Sequence, residues 1–279
     1  MRKVLASVLL LVVPAYLACG ALLWLLQGRL IFEPVRRLAV QASDLPFPAK
    51  DVAIPVGGQT LHAWWMPAQR TSPKVVLYFH GNDGNVSTSI AETALLRELG
   101  PSLLVVDYRG YGTSDGAFPS EDTMYEDAEA ALGFVVHRLG EKPRDVYLYG
   151  QSLGAAVAIE LAVRHPEVGG LVVENGFTSI YEMARLNPLY AIYPVGLVLN
   201  QRFDSIDKVS RLRMPVLYIH GTRDRIVPFA MGDALFEHSG GKKRFIAVPG
   251  GEHMDNARVA PRLLKQAISE LMGLEPDLH

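Results

Sequence analysis

The stretch Val146-Tyr-Leu-Tyr-Gly-Gln-Ser-Leu-Gly-Ala-Ala-Val-Ala-Ile-Glu-Leu-Ala162 decides how the chain is read. Its first residues form a short apolar run rich in Val and Tyr, which predicts a buried strand. From Ala155 onward the segment is alanine-rich and predicts a helix. Between the two stands Gly150-Gln-Ser-Leu-Gly154, a G-x-S-x-G pattern. A strand that turns at once into a helix brings two backbones close together, so the flanking positions must lack side chains. Gly150 and Gly154 meet that need. The turn forces Ser152 into a strained conformation and lifts its hydroxyl above the sheet edge. There the helix N-terminus aims N–H groups and positive dipole at the same spot. The pattern recurs by chance, and the strand before it and helix after it give it meaning. A glycine-rich corner with an idle serine is the competing reading.

The rest of the chain supplies a matching frame. With 279 residues, 49% of them hydrophobic, there is material for one large domain. The net charge of −2 gives no basic excess, so no nucleic-acid partner is expected. The sequence holds no G-x-x-x-x-G-K-[ST] loop, no H-E-x-x-H and no CxxC, and neither a metal nor an organic cofactor is expected. A single cysteine, Cys19, excludes an intrachain disulfide.

Val4 to Gly28 is 25 residues without a charge, dense in Leu, Val and Ala, and long enough to cross a bilayer as a helix. Tyr16-Leu-Ala-Cys19 weakly resembles a lipoprotein cleavage site, but the apolar run continues to Leu26, which favours an uncleaved signal-anchor. Arg2 and Lys3 on one side nearly balance Arg29, Arg36 and Arg37 on the other, and a domain on the extracytoplasmic side is expected. The organisation read from the sequence is an anchor over 1–28 and a proline-bearing connector over 29–50. An α/β domain over 51–273 follows, with a small cap at about 178–208, and a tail over 274–279. Residues 52–56 and 61–66 flank Gly57-Gly58 as a hairpin. Near-continuous apolar strands follow at 74–79, 103–107, 146–149, 171–173, 216–219 and 245–248. Helices are expected at 89–99, 121–139, 155–164, 228–237 and 261–272. Eight strands, alternating with helices after the hairpin, predict a mostly parallel doubly wound sheet covered on both faces.

A serine hydroxyl is a weak nucleophile. It needs a histidine base, and the base needs an acid to fix its tautomer. For a serine on such an elbow, the acid and then the histidine follow in loops at later strand ends. Asp224, in His220-Gly-Thr-Arg-Asp224, is the acid candidate, preferred over Glu174 and over the reading of a surface carboxylate paired with Arg223 or Arg225. His253, in Pro249-Gly-Gly-Glu-His253, is the one histidine of eight that fits both order and loop. An oxyanion hole needs two backbone donors. Leu153 supplies one, and Asn82 in Phe79-His-Gly-Asn-Asp83 supplies the other, with Asp83 as the alternative. Asp107 and Arg109 read as a structural ion pair shaping the pocket wall. Tyr108, Tyr111 and Phe177 are expected to line an apolar pocket.

Together these motifs resemble the α/β-hydrolase superfamily, and within it the membrane-anchored bud-emergence (BEM-like) branch of serine hydrolases. The resemblance rests on Leu30-Ile-Phe-Glu-Pro34, Phe79-His-Gly-Asn82, Asp107-Tyr-Arg-Gly-Tyr-Gly112, Gly150-Gln-Ser-Leu-Gly154, Glu174-Asn-Gly-Phe-Thr-Ser179, His220-Gly-Thr-Arg-Asp224 and Gly251-Glu-His253. It implies Ser152, Asp224 and His253 as the triad. Gly176 departs from it, since relatives tend to carry a larger residue or Pro there. The expected function is a monomeric, single-pass membrane serine hydrolase of esters or acyl thioesters. An amidase or peptidase, or a non-catalytic interaction module, is the alternative. The apolar Tyr181–Leu199 stretch suggests a lipid-like acyl pocket beside the bilayer.

Overall fold

The computed structural model describes residues 2–68 and 74–274. Residues 275–279 of the expected tail, His279 among them, lie outside the described residues. Eight strands form one sheet: β1 (Lys50–Val56), β2 (Gln59–Met66), β3 (Val75–Phe79), β4 (Ser102–Val106), β5 (Val146–Gln151), β6 (Gly170–Glu174), β7 (Val216–Gly221) and β8 (Lys243–Val248). Their spatial order is β8-β7-β6-β5-β3-β4-β2-β1. β1 and β2 form the expected hairpin, with Gly57 and Gly58 both at positive φ, as a tight two-residue turn of this hand requires. The β1–β2 and β2–β4 pairings are antiparallel, and the other pairings of this sheet are parallel.

Every residue of β3, β4, β5 and β6 is buried. That explains why these strands read as continuous apolar runs rather than alternating ones: both faces are covered. Successive side chains still point to opposite faces. Leu77, Leu104 and Leu148 pack with Ala155 and Ala158 of α4 (Leu153–Arg164) and Ala128 of α3 (Glu121–Gly133). Val76, Tyr78 and Val105 pack with Leu96 of α2 (Ile90–Glu98) and Ile268 of α6 (Pro261–Met272). α5 (Phe229–His238) covers the first face near β7. The helix expected over 121–139 starts where Ser120 caps it, its side chain accepting from Thr123 N at 3.2 Å, but it widens after Gly133 into a π turn, Phe134–Arg138.

Two segments differ from expectation in a way that bears on function. α1 spans Arg2–Ile31, past the expected end of the anchor, and it passes without a break into the domain. Residues 32–49 are not a loose connector. Phe32 is buried between Phe118 and Phe203, edge-on to both at 6.1 Å. Glu33–Pro34 pairs in parallel with Asp83–Gly84. Ala42 is buried, and Leu38, Val40 and Phe47 pack on the second face. The prolines remove any regular period, so burial here leaves no repeat for a sequence reading to detect.

The cap between β6 and β7 consists of short turns of helix at Ile180–Arg185, Pro188–Ile192, Val195–Val198 and Ile206–Val209. α1 lies against it. Tyr16 stacks on Tyr193 at 4.8 Å and donates to Ile192 O at 2.9 Å. Gln27 donates to Val198 O at 3.1 Å and accepts from Asn200 N at 2.7 Å.

Candidate active site

β5 ends directly in the elbow. Ser152 has φ 53° and ψ −117°, a conformation that costs a non-glycine residue about 1–3 kcal/mol. Its neighbours hold it there: its N–H donates to Glu174 O at 2.9 Å and its carbonyl accepts from Ala155 N at 3.0 Å. The flanking glycines are required by close approach. A Cβ on Gly154 would run into the carbonyls of Phe79 and His80, and one on Gly150 would run into the Gly154 backbone. Helix propensity alone would favour alanine at Gly154 by about 1 kcal/mol. The backbone clash outweighs that, and Gly154→Ala is expected to lose at least about 3 kcal/mol of stability. Urea unfolding measures it, and an unchanged midpoint would mean that β3 and α4 are not tightly apposed.

Three side chains distant in sequence converge at this end of the sheet. Ser152 Oγ lies 2.9 Å from His253 Nε2, and His253 Nδ1 lies 2.7 Å from Asp224 Oδ2. The partners fix the protons. Nδ1–H donates to the carboxylate, which leaves Nε2 to accept from the serine hydroxyl. Asp224 is itself anchored: Oδ1 accepts from Ile226 N and Val227 N, each at 2.9 Å. Burial opposes its ionisation, but hydrogen bonds from His220 and His253 and the Val227 N–H outweigh burial and hold the carboxyl well below the usual carboxylate range. The arrangement can therefore keep a fixed negative charge beside an imidazole that gains a proton.

Asn82 and Leu153 border the same cavity as Ser152. Among the described residues neither backbone N–H meets an acceptor, as expected of donors reserved for a developing oxyanion. Gly81 presses against the serine: a Cβ there would lie 3.4 Å from Ser152 Cβ. Tyr108 and Tyr111 lie elsewhere than expected. Both are fully buried beneath this loop and absent from the cavity wall, where Phe177 does stand. Tyr108 donates to His80 O at 3.1 Å and Tyr111 to Asn82 O at 2.7 Å, so they brace the loop from below. Asp107 and Arg109 do not pair with each other. Asp107 accepts from Val86 N at 2.7 Å and faces His62 at 2.9 Å, while Arg109 binds Asp127 and Glu126. Adjacent turns of one loop point the two side chains to opposite partners.

Glu174, the rival acid, is wholly buried with its oxygens spent on Tyr149 OH at 2.7 Å and Asn256 Nδ2 at 3.0 Å. Burial, then the charge of Glu92, push its carboxyl up to about 7. A glutamate in an unfolded chain titrates near 4.3, so folding takes up a proton between these values. Stability is then greatest at low pH and declines as pH rises through about 7. Glu174→Gln removes this slope, and its unfolding free energy is expected to fall between pH 5 and 8 by about 2–3 kcal/mol less than the native protein's. Parallel stability–pH curves for the two would contradict the burial argument.

One positioning residue escaped the sequence reading. Asn175, at φ 47°, donates to His253 O at 2.5 Å and accepts from Gly221 N at 3.1 Å. It ties the end of β6 to the loop that carries the histidine and to the end of β7. The available signal was an asparagine, which tolerates the left-handed region, directly after a strand.

The cavity over Ser152 measures about 270 Å³ and is mainly apolar. Phe177 and Leu153 stand beside the serine, and the cap supplies Met183, Tyr190 and Leu199. α1 closes another side through Leu23, Gln27, Leu30 and Ile31, and Ile226 and Val227 stand in the wall after β7.

The sequence family described as "Serine aminopeptidase, S33" matches residues 71–205, which carry the loop after β3, the elbow and most of the cap. The uncharacterized protein Rv2307c of Mycobacterium tuberculosis is 33% identical over 262 residues, 92% of each chain. This chain belongs to the α/β-hydrolase superfamily. The hydrolase is also similar to lysophosphatidylserine lipase ABHD12 of Danio rerio, at 33% identity over 191 residues, 62% of this chain and 49% of that one. In structure the hydrolase resembles the Pyrococcus furiosus esterase Pf2001, with a TM-score of 0.73 over 87% of this chain and 97% of that one, at 21% identity. That likeness is one of fold.

Proposed function

We propose that the protein is a membrane-anchored serine hydrolase that cleaves ester or acyl-thioester bonds of lipid-like substrates. The observation that carries this reading is the Ser152–His253–Asp224 chain of 2.9 and 2.7 Å contacts at the floor of an apolar cavity. Ser152 Oγ attacks the acyl carbonyl while His253 Nε2 takes its proton. The oxyanion is held by the N–H groups of Leu153 and Asn82. His253 then protonates the leaving alcohol or thiol, and the acyl group stays on Ser152. A water molecule, deprotonated by His253, attacks the acyl-enzyme and releases the acid, returning the proton to Ser152. α1, whose segment Leu10–Ile31 has a mean hydropathy of 2.0, crosses the bilayer once, with the domain on the extracytoplasmic side.

The relative described as a lysophosphatidylserine lipase and the apolar wall both favour a long acyl group. The family description favours an aminopeptidase instead. Among the described residues lining the cavity there is no carboxylate to receive a peptide amino terminus, which weighs toward the ester. A fluorophosphonate probe is expected to label native protein and not Ser152→Ala, and no labelling of native protein would favour a non-catalytic module. Aryl esters of rising chain length are expected to give rising kcat/KM, and a flat series, or faster cleavage of peptides, would overturn the lipid-like reading.

A further inference from the structure

The cap carries its own membrane signature. Residues 186–201 hold no charge and are bounded by Arg185 and Arg202. Within them Leu189, Ile192 and Leu197 are 74%, 66% and 85% exposed, beside Leu186 at 52%. Four large aliphatic side chains in open water on one short segment is an unusual surface.

The position of the cap along α1 says what covers it. The Tyr16–Tyr193 stack and the Gln27 bonds to Val198 and Asn200 lay this segment along α1 for eleven residues, about 16 Å. If the cap stayed in water, α1 would have to leave the membrane at Tyr16. Only Val4 to Ala15 would remain in the hydrocarbon, about 18 Å of helix for a layer about 30 Å thick. If instead Arg29 marks the interface, Tyr16 lies about 20 Å below it, and Tyr193 lies there with it. Trp24, 51% exposed, then sits within two turns of the interface, where aromatic side chains collect.

From this we infer that the cap is immersed in the bilayer beside α1 and that Leu186, Leu189, Ile192 and Leu197 face lipid acyl chains. Its backbone is equipped for that environment. Tyr190, Tyr193, Leu197 and Leu199 donate to carbonyls within the segment, and Pro188 and Pro194 have no N–H to satisfy. Two hydrogen-bonding side chains of α1 along this contact are spent on the cap: Tyr16 on Ile192 O, Gln27 on Val198 O and Asn200 N. The cavity walled by α1 and the cap then fills from the lipid layer, and a substrate chain reaches Ser152 without crossing water.

The inference rests on α1 crossing a bilayer, as proposed above, and not on the triad chemistry. Its test uses the full chain in phosphatidylcholine–phosphatidylglycerol nanodiscs, in a Cys19→Ser background. Leu189→Cys and Leu197→Cys are each treated with a charged, membrane-impermeant maleimide. Leu17→Cys, 63% exposed in mid-helix, reports on α1, and Glu237→Cys, on an exposed face of α5, reports on water. Both cap thiols are expected to react at least about tenfold more slowly than Glu237→Cys, because hydrocarbon excludes the charged reagent and the thiolate. Cap thiols reacting like Glu237→Cys while Leu17→Cys stays protected would overturn the immersed cap. A reactive Leu17→Cys would overturn the spanning helix, and the cap proposal with it.

Discussion

Ser152→Ala is expected to lower ester turnover by about 10⁶-fold with little change in fold or KM. The oxygen that forms the acyl-enzyme is gone, and the nearest replacement, a water beside His253, lacks the fixed position that the elbow gives to Oγ. Any residual rate over buffer then measures what the Leu153 and Asn82 donors and the cavity achieve alone. The same position carries a stability prediction of opposite sign. A side chain at φ 53° is strained, so Ser152→Gly should unfold at higher denaturant, by about 1 kcal/mol, while being equally inactive. Turnover by Ser152→Ala above about one percent of native would show that the serine is not the nucleophile.

Asp224→Asn is expected to cost about 10⁴-fold in kcat, through the tautomer of His253 rather than through packing. Asp224 Oδ1 is claimed by two N–H groups, from Ile226 and Val227. An asparagine must keep its carbonyl oxygen there, which places its NH₂ where Oδ2 now meets His253 Nδ1. The imidazole must then accept at Nδ1 and carry its proton on Nε2, pointed at Ser152, where it can no longer serve as base. Substrate binding is untouched, so KM changes little and the loss falls on kcat. Glu174→Gln is the control, expected within a few-fold of native activity because its oxygens are taken by Tyr149 and Asn256. The reverse ranking would move the acid to β6.

The sheet was legible because its central strands are buried on both faces and so appear as unbroken apolar runs. Their ends were not. β6 was expected over 171–173 and spans Gly170–Glu174, since main-chain pairing continues through a glycine and a buried acid that no hydrophobic pattern includes. Ser152, Asp224 and His253, the proposed triad, were picked out by chain order and loop position, and the structure brings the three side chains together. Asn175 was not, because its role lies in hydrogen bonds to His253, 78 positions away, and to Gly221, 46 away. Tyr108 and Tyr111 read as pocket residues because aromatic side chains beside a catalytic loop suit either side of it, and only packing decides which. The contact between α1 and the cap joins residues more than 170 positions apart, and no local pattern announces it.

The end of α1 is bonded to the loop that carries Asn82, the proposed oxyanion donor: Asn82 Nδ2 donates to Ile31 O at 3.1 Å, and Glu33 N donates to Asn82 O at 2.9 Å. A loose tether of twenty residues would let a catalytic domain roam over about 25 Å. This one is welded to the domain, so with α1 in a bilayer, as proposed above, the domain would be held at a single height and attitude and would reach only the leaflet it stands in. On the same proposal, a change in membrane thickness that tilts the helix would also pull directly on the backbone around Asn82, the proposed oxyanion donor.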